Sequence, residues 1–145
     1  MFSSGMNRPV IESQPVMFPL LQAAHALEHR LETALARVGL SMAKFKVVSL
    51  LADAGESLPL SEIASRQSCV RSNMTQLIDR MEADGLVRRV DDPTDRRSVR
   101  AAITPLGQER AEAGARLIKQ VEDELAAAIP LDDRAALIRL FGGLK

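Results

Sequence analysis

A chain of 145 residues can build one compact domain with a substantial core, or a small module with long helical extensions, but not two full domains. Its 19 basic and 19 acidic side chains cancel, which excludes a protein that coats nucleic acid by bulk attraction, so any contact with a polyanion has to come from local placement. Aromatic residues make up 3% of a chain that is 46% apolar, with no Trp or Tyr, and this composition favours helices over sheet.

The single Cys cannot close an internal disulfide, and no Cys/His group has zinc-finger spacing, so neither a metal nor another cofactor is expected and a reducing compartment fits. The first residues lack the apolar core and cleavage pattern of a signal peptide, and no run approaches the roughly 20 apolar residues of a membrane span. The expectation is a soluble cytoplasmic protein without a membrane partner.

Residues 1 to 15 hold three Ser, two Pro and a Gly with no apolar period, and are expected to form a loosely held arm. From residue 17 to 38, Leu20, Ala24, Leu27, Leu31, Leu35 and Val38 follow in steps of three and four, one narrow helical stripe that Pro19 tolerates in its first turn and Gly39 ends. Ser41 is a plausible N-cap for a second helix that puts Phe45, Val48, Leu51 and Ala52 on one face and stops near Gly55.

A short helix is expected from residue 59 to 67, with Pro59 in its first turn and Ile63 and Ala64 buried. A turn near Ser68 leads to another helix, residues 70 to 84, ending at Gly85. Met74, Leu77, Ile78 and Met81 form its inward stripe, and Arg71, Ser72, Asn73, Thr75, Gln76 and Arg80 lie opposite. Residues 86 to 91 and 98 to 103 have strand character and are joined by turn formers, an antiparallel hairpin. Thr104 and Pro105 then cap and open a helix to about residue 129, striped by Leu117, Val121, Leu125 and Ala128. Pro130 interrupts, and Asp132 is expected to cap a last helix bearing Leu137, Ile138, Leu140 and Phe141.

This order of elements suits duplex DNA. The major groove admits one helix, whose reading face needs polar side chains of moderate reach opposite an anchored apolar face. Arg pairs with guanine and Asn or Gln with adenine through two hydrogen bonds, and a recognition helix usually aims its first turns at the bases, where Arg71, Ser72, Asn73, Thr75 and Gln76 cluster. An ordinary solvated helix face carries the same polarity. The hairpin adds Arg88, Arg89, Arg96, Arg97 and Arg100 against Asp91, Asp92 and Asp95. Such a turn can serve solubility alone, yet an arginine at a narrow tip can also enter a narrow minor groove.

With those elements placed, the chain resembles the multiple-antibiotic-resistance regulator (MarR) family of winged helix-turn-helix transcription regulators. The matching residues are Glu62, Ile63 and Ala64; Asn73, Met74 and Thr75 with Asp79, Arg80, Met81 and Glu82; Gly85, Leu86 and Val87; Asp92 and Pro93 with Asp95, Arg96 and Arg97; and Ile103, Thr104 and Gly107. The resemblance implies a mainly α fold with a small β-hairpin wing, flanked by N- and C-terminal dimerisation helices. It implies an obligate homodimer on a pseudo-palindromic operator, with Arg96 in the minor groove and Asp95 and Arg97 bracing the wing or meeting phosphate. The resulting division is an arm (1–15), N-terminal helices (16–56), a DNA-binding unit (57–104) and C-terminal dimerisation helices (105–145). The dimer has separate support, because the stripes of residues 20 to 38 and 117 to 141 exceed what one small lobe can cover; packing within one chain is the alternative. Val70 stands where the family often has a Ser or Asp cap, which moves the expected helix start to Ser72. Gln67 stands where an apolar residue is usual, which puts the register in question by about one turn.

Family members often release DNA when a small aromatic or phenolic acid enters a cleft between the dimer helices and the winged lobe. Here that possible effector cleft would involve His25 and His29, one helical turn apart, although such residues are more often plain surface or interface groups. Cys69 adjoins the recognition helix but matches an apolar core position, so burial is expected rather than redox sensing. No phosphate-binding Gly loop, nucleophile elbow or HExxH is present, which argues against an enzyme. The chain therefore reads as a DNA-binding regulator, a ligand-responsive repressor, with a winged-helix protein-docking module that does not bind DNA as the alternative.

Overall fold

The computed structural model describes residues 15–144, the Arg71 side chain excepted, so the expected arm lies outside the described residues save for Pro15. In chain order the elements are α1 (Met17–Ala36), α2 (Met42–Ala54), β1 (Leu58–Pro59), α3 (Leu60–Arg66), α4 (Arg71–Ala83), β2 (Val87–Asp91), β3 (Val99–Ile103), α5 (Pro105–Ala128) and α6 (Leu131–Gly142). The fold is mainly helical with a small antiparallel sheet, as the pattern of periods foretold.

Local chemistry sets most boundaries. The Ser41 hydroxyl accepts the Lys44 amide at 3.2 Å and starts α2. The Thr104 hydroxyl accepts the Gly107 amide at 3.0 Å and starts α5, with Pro105 in the first turn. Each such cap contributes about 1 kcal/mol. The expected cap at Asp132 does not form. Pro130 occupies the N-cap of α6, and Asp132 and Asp133 fall in the first turn, where their charge favours the helix N-terminus. The Arg134 guanidinium turns back to the carbonyls of Ile129 (2.7 Å) and Ala126, supplying donors to the end of α5.

The winged lobe is built on one core. Val47, Val48 and Leu51 of α2, Ile63 of α3, Met74, Ile78 and Met81 of α4, and Val87 of β2 are all fully buried. Val47 was missed by the stripe read from the sequence, because α2 is covered by α5 on one side and by the helix-turn-helix on the other. The sheet has three strands in the order β1-β3-β2, not the two of a bare hairpin. Leu58 pairs with Ala101 and Pro59 with Arg100, so Pro59 closes an edge strand and precedes α3 instead of lying in its first turn. Edge strands tolerate Pro because its missing N–H faces outward.

Two glycines permit close packing. A Cβ on Gly107 would meet the Leu86 carbonyl oxygen at 2.1 Å, and one on Gly114 would meet the Phe45 ring at 2.8 Å. They seat α5 against Leu86, just ahead of β2, and against α2 respectively. The outer helices are less well covered. Of the stripe on α1 only Leu35 is buried, and Val16, Phe18, Leu21, Leu131, Ile138 and Leu140 are between 53% and 79% exposed in the single chain.

Candidate nucleic-acid interface

The turn before α4 fixes how that helix starts. Ser68 adopts a left-handed φ of 51°, and the Cys69 amide donates back to the Ala64 carbonyl at 2.9 Å, closing the end of α3. Gln67 keeps the expected register: it caps α3, and its side-chain amide donates to the Lys46 carbonyl at 3.3 Å. The helix begins at Arg71, with Val70 at the N-cap, correcting the start expected at Ser72. Val70 makes no side-chain cap bond, which forgoes about 1 kcal/mol relative to Ser or Asp. Cys69 packs partly buried against the core.

From that start the polar side chains of α4 fall into two rows. Asn73, Gln76 and Arg80, spaced three and four apart, share one exposed face. Ser72, Thr75, Asp79 and Glu82 form the second row, which runs beside the wing. There Arg89 of β2 reaches across: its guanidinium meets Asp79 at 2.5 Å and Glu82 at 3.6 Å and donates to the Thr75 carbonyl at 3.5 Å, while its amide donates to Glu82 at 2.8 Å. Arg89 therefore ties the wing to α4.

The wing is folded by its own carboxylates. Asp92 accepts the amide (2.9 Å) and hydroxyl (2.7 Å) of Thr94, and these two bonds, with Arg100 further off at 3.6 Å, hold its pKa below the usual 3.8. Asp95 accepts the Arg97 amide at 2.9 Å, and its carbonyl accepts the Ser98 amide at 3.1 Å. Arg100 points inward, donating to the Ser57 hydroxyl at 3.0 Å and carbonyl at 2.6 Å. Of the five arginines counted in the hairpin, Arg89 and Arg100 are thus committed to the protein. Arg88, Arg96 and Arg97 are exposed and, among the described residues, have no carboxylate within ion-pair distance. Arg97 and Thr75 line the same small groove between wing and α4, which puts the wing tip on the polar side of the helix.

Residues 40–99 match the MarR family. Over those residues the chain is similar to that family. A relative, the HTH-type transcriptional repressor YetL of Bacillus subtilis, is 32% identical over 101 residues, 69% of this chain and 60% of that protein. The chain spans between 42% and 60% of the length of the first curated relatives it matches. Among solved structures it is similar to the transcriptional repressor CouR bound to a 23-mer DNA duplex, at 27% identity and a TM-score of 0.79, covering 97% of this chain and 99% of that one. A mutant MarR of E. coli complexed with operator DNA shares the fold, with a TM-score of 0.78, 22% identity and coverage of 94% and 97%. The MarR fold and these relatives are those of transcriptional regulators, not of enzymes.

The possible effector cleft was expected to involve His25 and His29, and the described residues place these two apart from the groove beside α4. A cleft of about 500 Å³ opens between α1, α2 and α4, floored by Met42, Val47, Cys69, Met74 and Leu77 with Glu28 and Glu32 at its edge. Neither His25 nor His29 lines it. His25 is exposed beside Glu28 at 3.5 Å, and His29 borders a different groove between α1 and α5. Among the described residues no group of three His, Cys, Asp or Glu is placed to hold a metal ion, and no helix is long and apolar enough to cross a membrane.

Proposed function

We propose that this chain is a sequence-specific regulator of transcription, a cytoplasmic repressor that binds a pseudo-palindromic double-stranded operator as a homodimer. One observation carries the reading: a helix face of Asn73, Gln76 and Arg80 stands beside a wing whose Arg96 and Arg97 are exposed and, among the described residues, lack an ion-pair partner, while Arg89 and Arg100 are spent on holding that wing in place. A merely soluble turn gives no reason for this division. The likeness to a repressor bound to a DNA duplex supports it.

In this reading residues 57–104 contact DNA. Arg71, Ser72, Asn73, Thr75, Gln76 and Arg80 address the major groove and its phosphates. Arg96 enters the minor groove, Arg97 meets phosphate and Asp95 shapes the wing. Residues 16–56 and 105–145 supply the dimer helices, whose exposed apolar side chains a second copy would cover. The cleft floored by Met74 and Leu77 would take a small aromatic or phenolic effector.

Selection from a random duplex pool tests this directly. A single palindromic sequence class should emerge, and its affinity should fall with salt with a log-log slope of about −0.9 per phosphate neutralised. Arg96→Ala should weaken binding about tenfold with the dimer intact, and Asn73→Ala should relax base preference more than it weakens non-specific binding. Equal binding to every duplex, or none at low salt, overturns the reading.

A further inference from the structure

We infer that Val70 is a specificity-determining residue that reads the methyl group of a thymine in the major groove; the inference rests on the DNA-binding reading above. The left-handed Ser68 and the Cys69 amide bond to Ala64 fix the chain entering α4, and Val70 follows in an extended conformation. Consecutive side chains then point to opposite sides: Cys69 packs against the core, and Val70 projects outward, 66% exposed.

Isolated exposed apolar residues are common on protein surfaces, so position decides. Among the described residues, every other large apolar side chain more than half exposed lies on α1, α6 or the residues next to them. Val70 stands apart from that surface, at the tip of the reading helix between the exposed polar residues Ser68, Ser72 and Asn73. It also holds the N-cap, where Val is among the poorest residues and Ser, Thr, Asp or Asn would satisfy an unpaired amide. The local helix gains nothing from Val there. Its chemistry has one counterpart in the major groove, the thymine C5 methyl, the groove's apolar group. A β-branched side chain is stiff about χ1, so its methyl groups are held ready for such a contact.

The test uses the full chain and a duplex selected from a random pool, with each thymine replaced in turn by deoxyuridine, which removes the methyl and keeps the base pairing. At one thymine of a half-site the natural chain should lose about fourfold in affinity, the equivalent of one buried methyl group. Val70→Ser and Val70→Ala should bind the thymine and uracil duplexes equally. Val70→Ser should also unfold at the same or a higher temperature, because serine restores the cap, which separates reading from folding. The inference is overturned if no thymine is sensitive, or if the sensitivity persists undiminished in both variants. A chain that enriches no sequence overturns the DNA-binding reading itself.

Discussion

Arg89 and Arg96 lie seven positions apart and carry the same guanidinium, yet their surroundings give them opposite roles. Arg89 is held by Asp79 and Glu82, and Arg96 faces solvent. The sequence alone could not separate them: it showed five arginines near a turn, and only the pairing of strand and helix reveals which have carboxylates within reach. Asp79 and Glu82 follow Thr75 at steps of four and three, so a shared face was legible, but its partner across 10 positions was not. Asp92 yields a prediction at this scale. Its folded pKa lies below 3.8, so its stabilisation of the wing is complete above that value and is lost as pH falls through the lower folded value. Asp92 therefore contributes no change between pH 5 and 8. An NMR titration of the Asp92 carboxyl carbon should show a midpoint below 3.8, and Thr94→Val should move it upward; a midpoint at or above 3.8 in the natural chain contradicts the assignment.

At the scale of elements, the angle between α4 and the wing matters more than the strength of either. The ion pairs of Arg89 are part-exposed and each contributes at most about 1 kcal/mol, so their effect is to position. Arg89→Met should leave the melting temperature within a few degrees and weaken binding to the selected duplex about tenfold; unchanged binding would show that the wing holds its angle without Arg89. Packing of α5 gives a contrast between two glycines. Gly107→Ala drives a methyl into a backbone carbonyl, whereas Gly114→Ala meets an aromatic ring that can shift. Overpacking costs about 1–3 kcal/mol, and denaturant unfolding should place Gly107→Ala at the upper end, with Gly114→Ala below it. The long helices and the hairpin were legible because period and caps agree with the fold. The strand β1 was not, since two residues have no period and β3, not local propensity, makes them a strand. The α6 cap failed for a related reason: Pro130 already breaks the helix, leaving Asp132 inside the first turn.

For the whole molecule, the exposed apolar side chains of α1 and α6 mark the surface that the proposed second copy would cover. The width of those stripes was visible in the sequence, but whether they close on each other was a question of geometry. In the single chain they do not: Ile138 is 73% exposed and Phe18 67%. Ile138→Glu should therefore leave each subunit folded by circular dichroism, shift sedimentation from two copies to one, and abolish binding to a two-half-site duplex. A variant that still sediments as the natural chain would show that another surface joins the copies. The zero net charge fits the proposed arrangement, in which attraction to DNA would be confined to one edge of the molecule.

The strand β3 is gripped along both margins, by β2 on one side and by β1 on the other, and Arg100 adds a rivet to Ser57 just ahead of α3. The base of the wing is accordingly braced, through β1 and Ser57, to the chain that enters α3. Deuterium should enter the amides of β3 and α3 at one common rate, and a duplex that clamps the tip should slow both together.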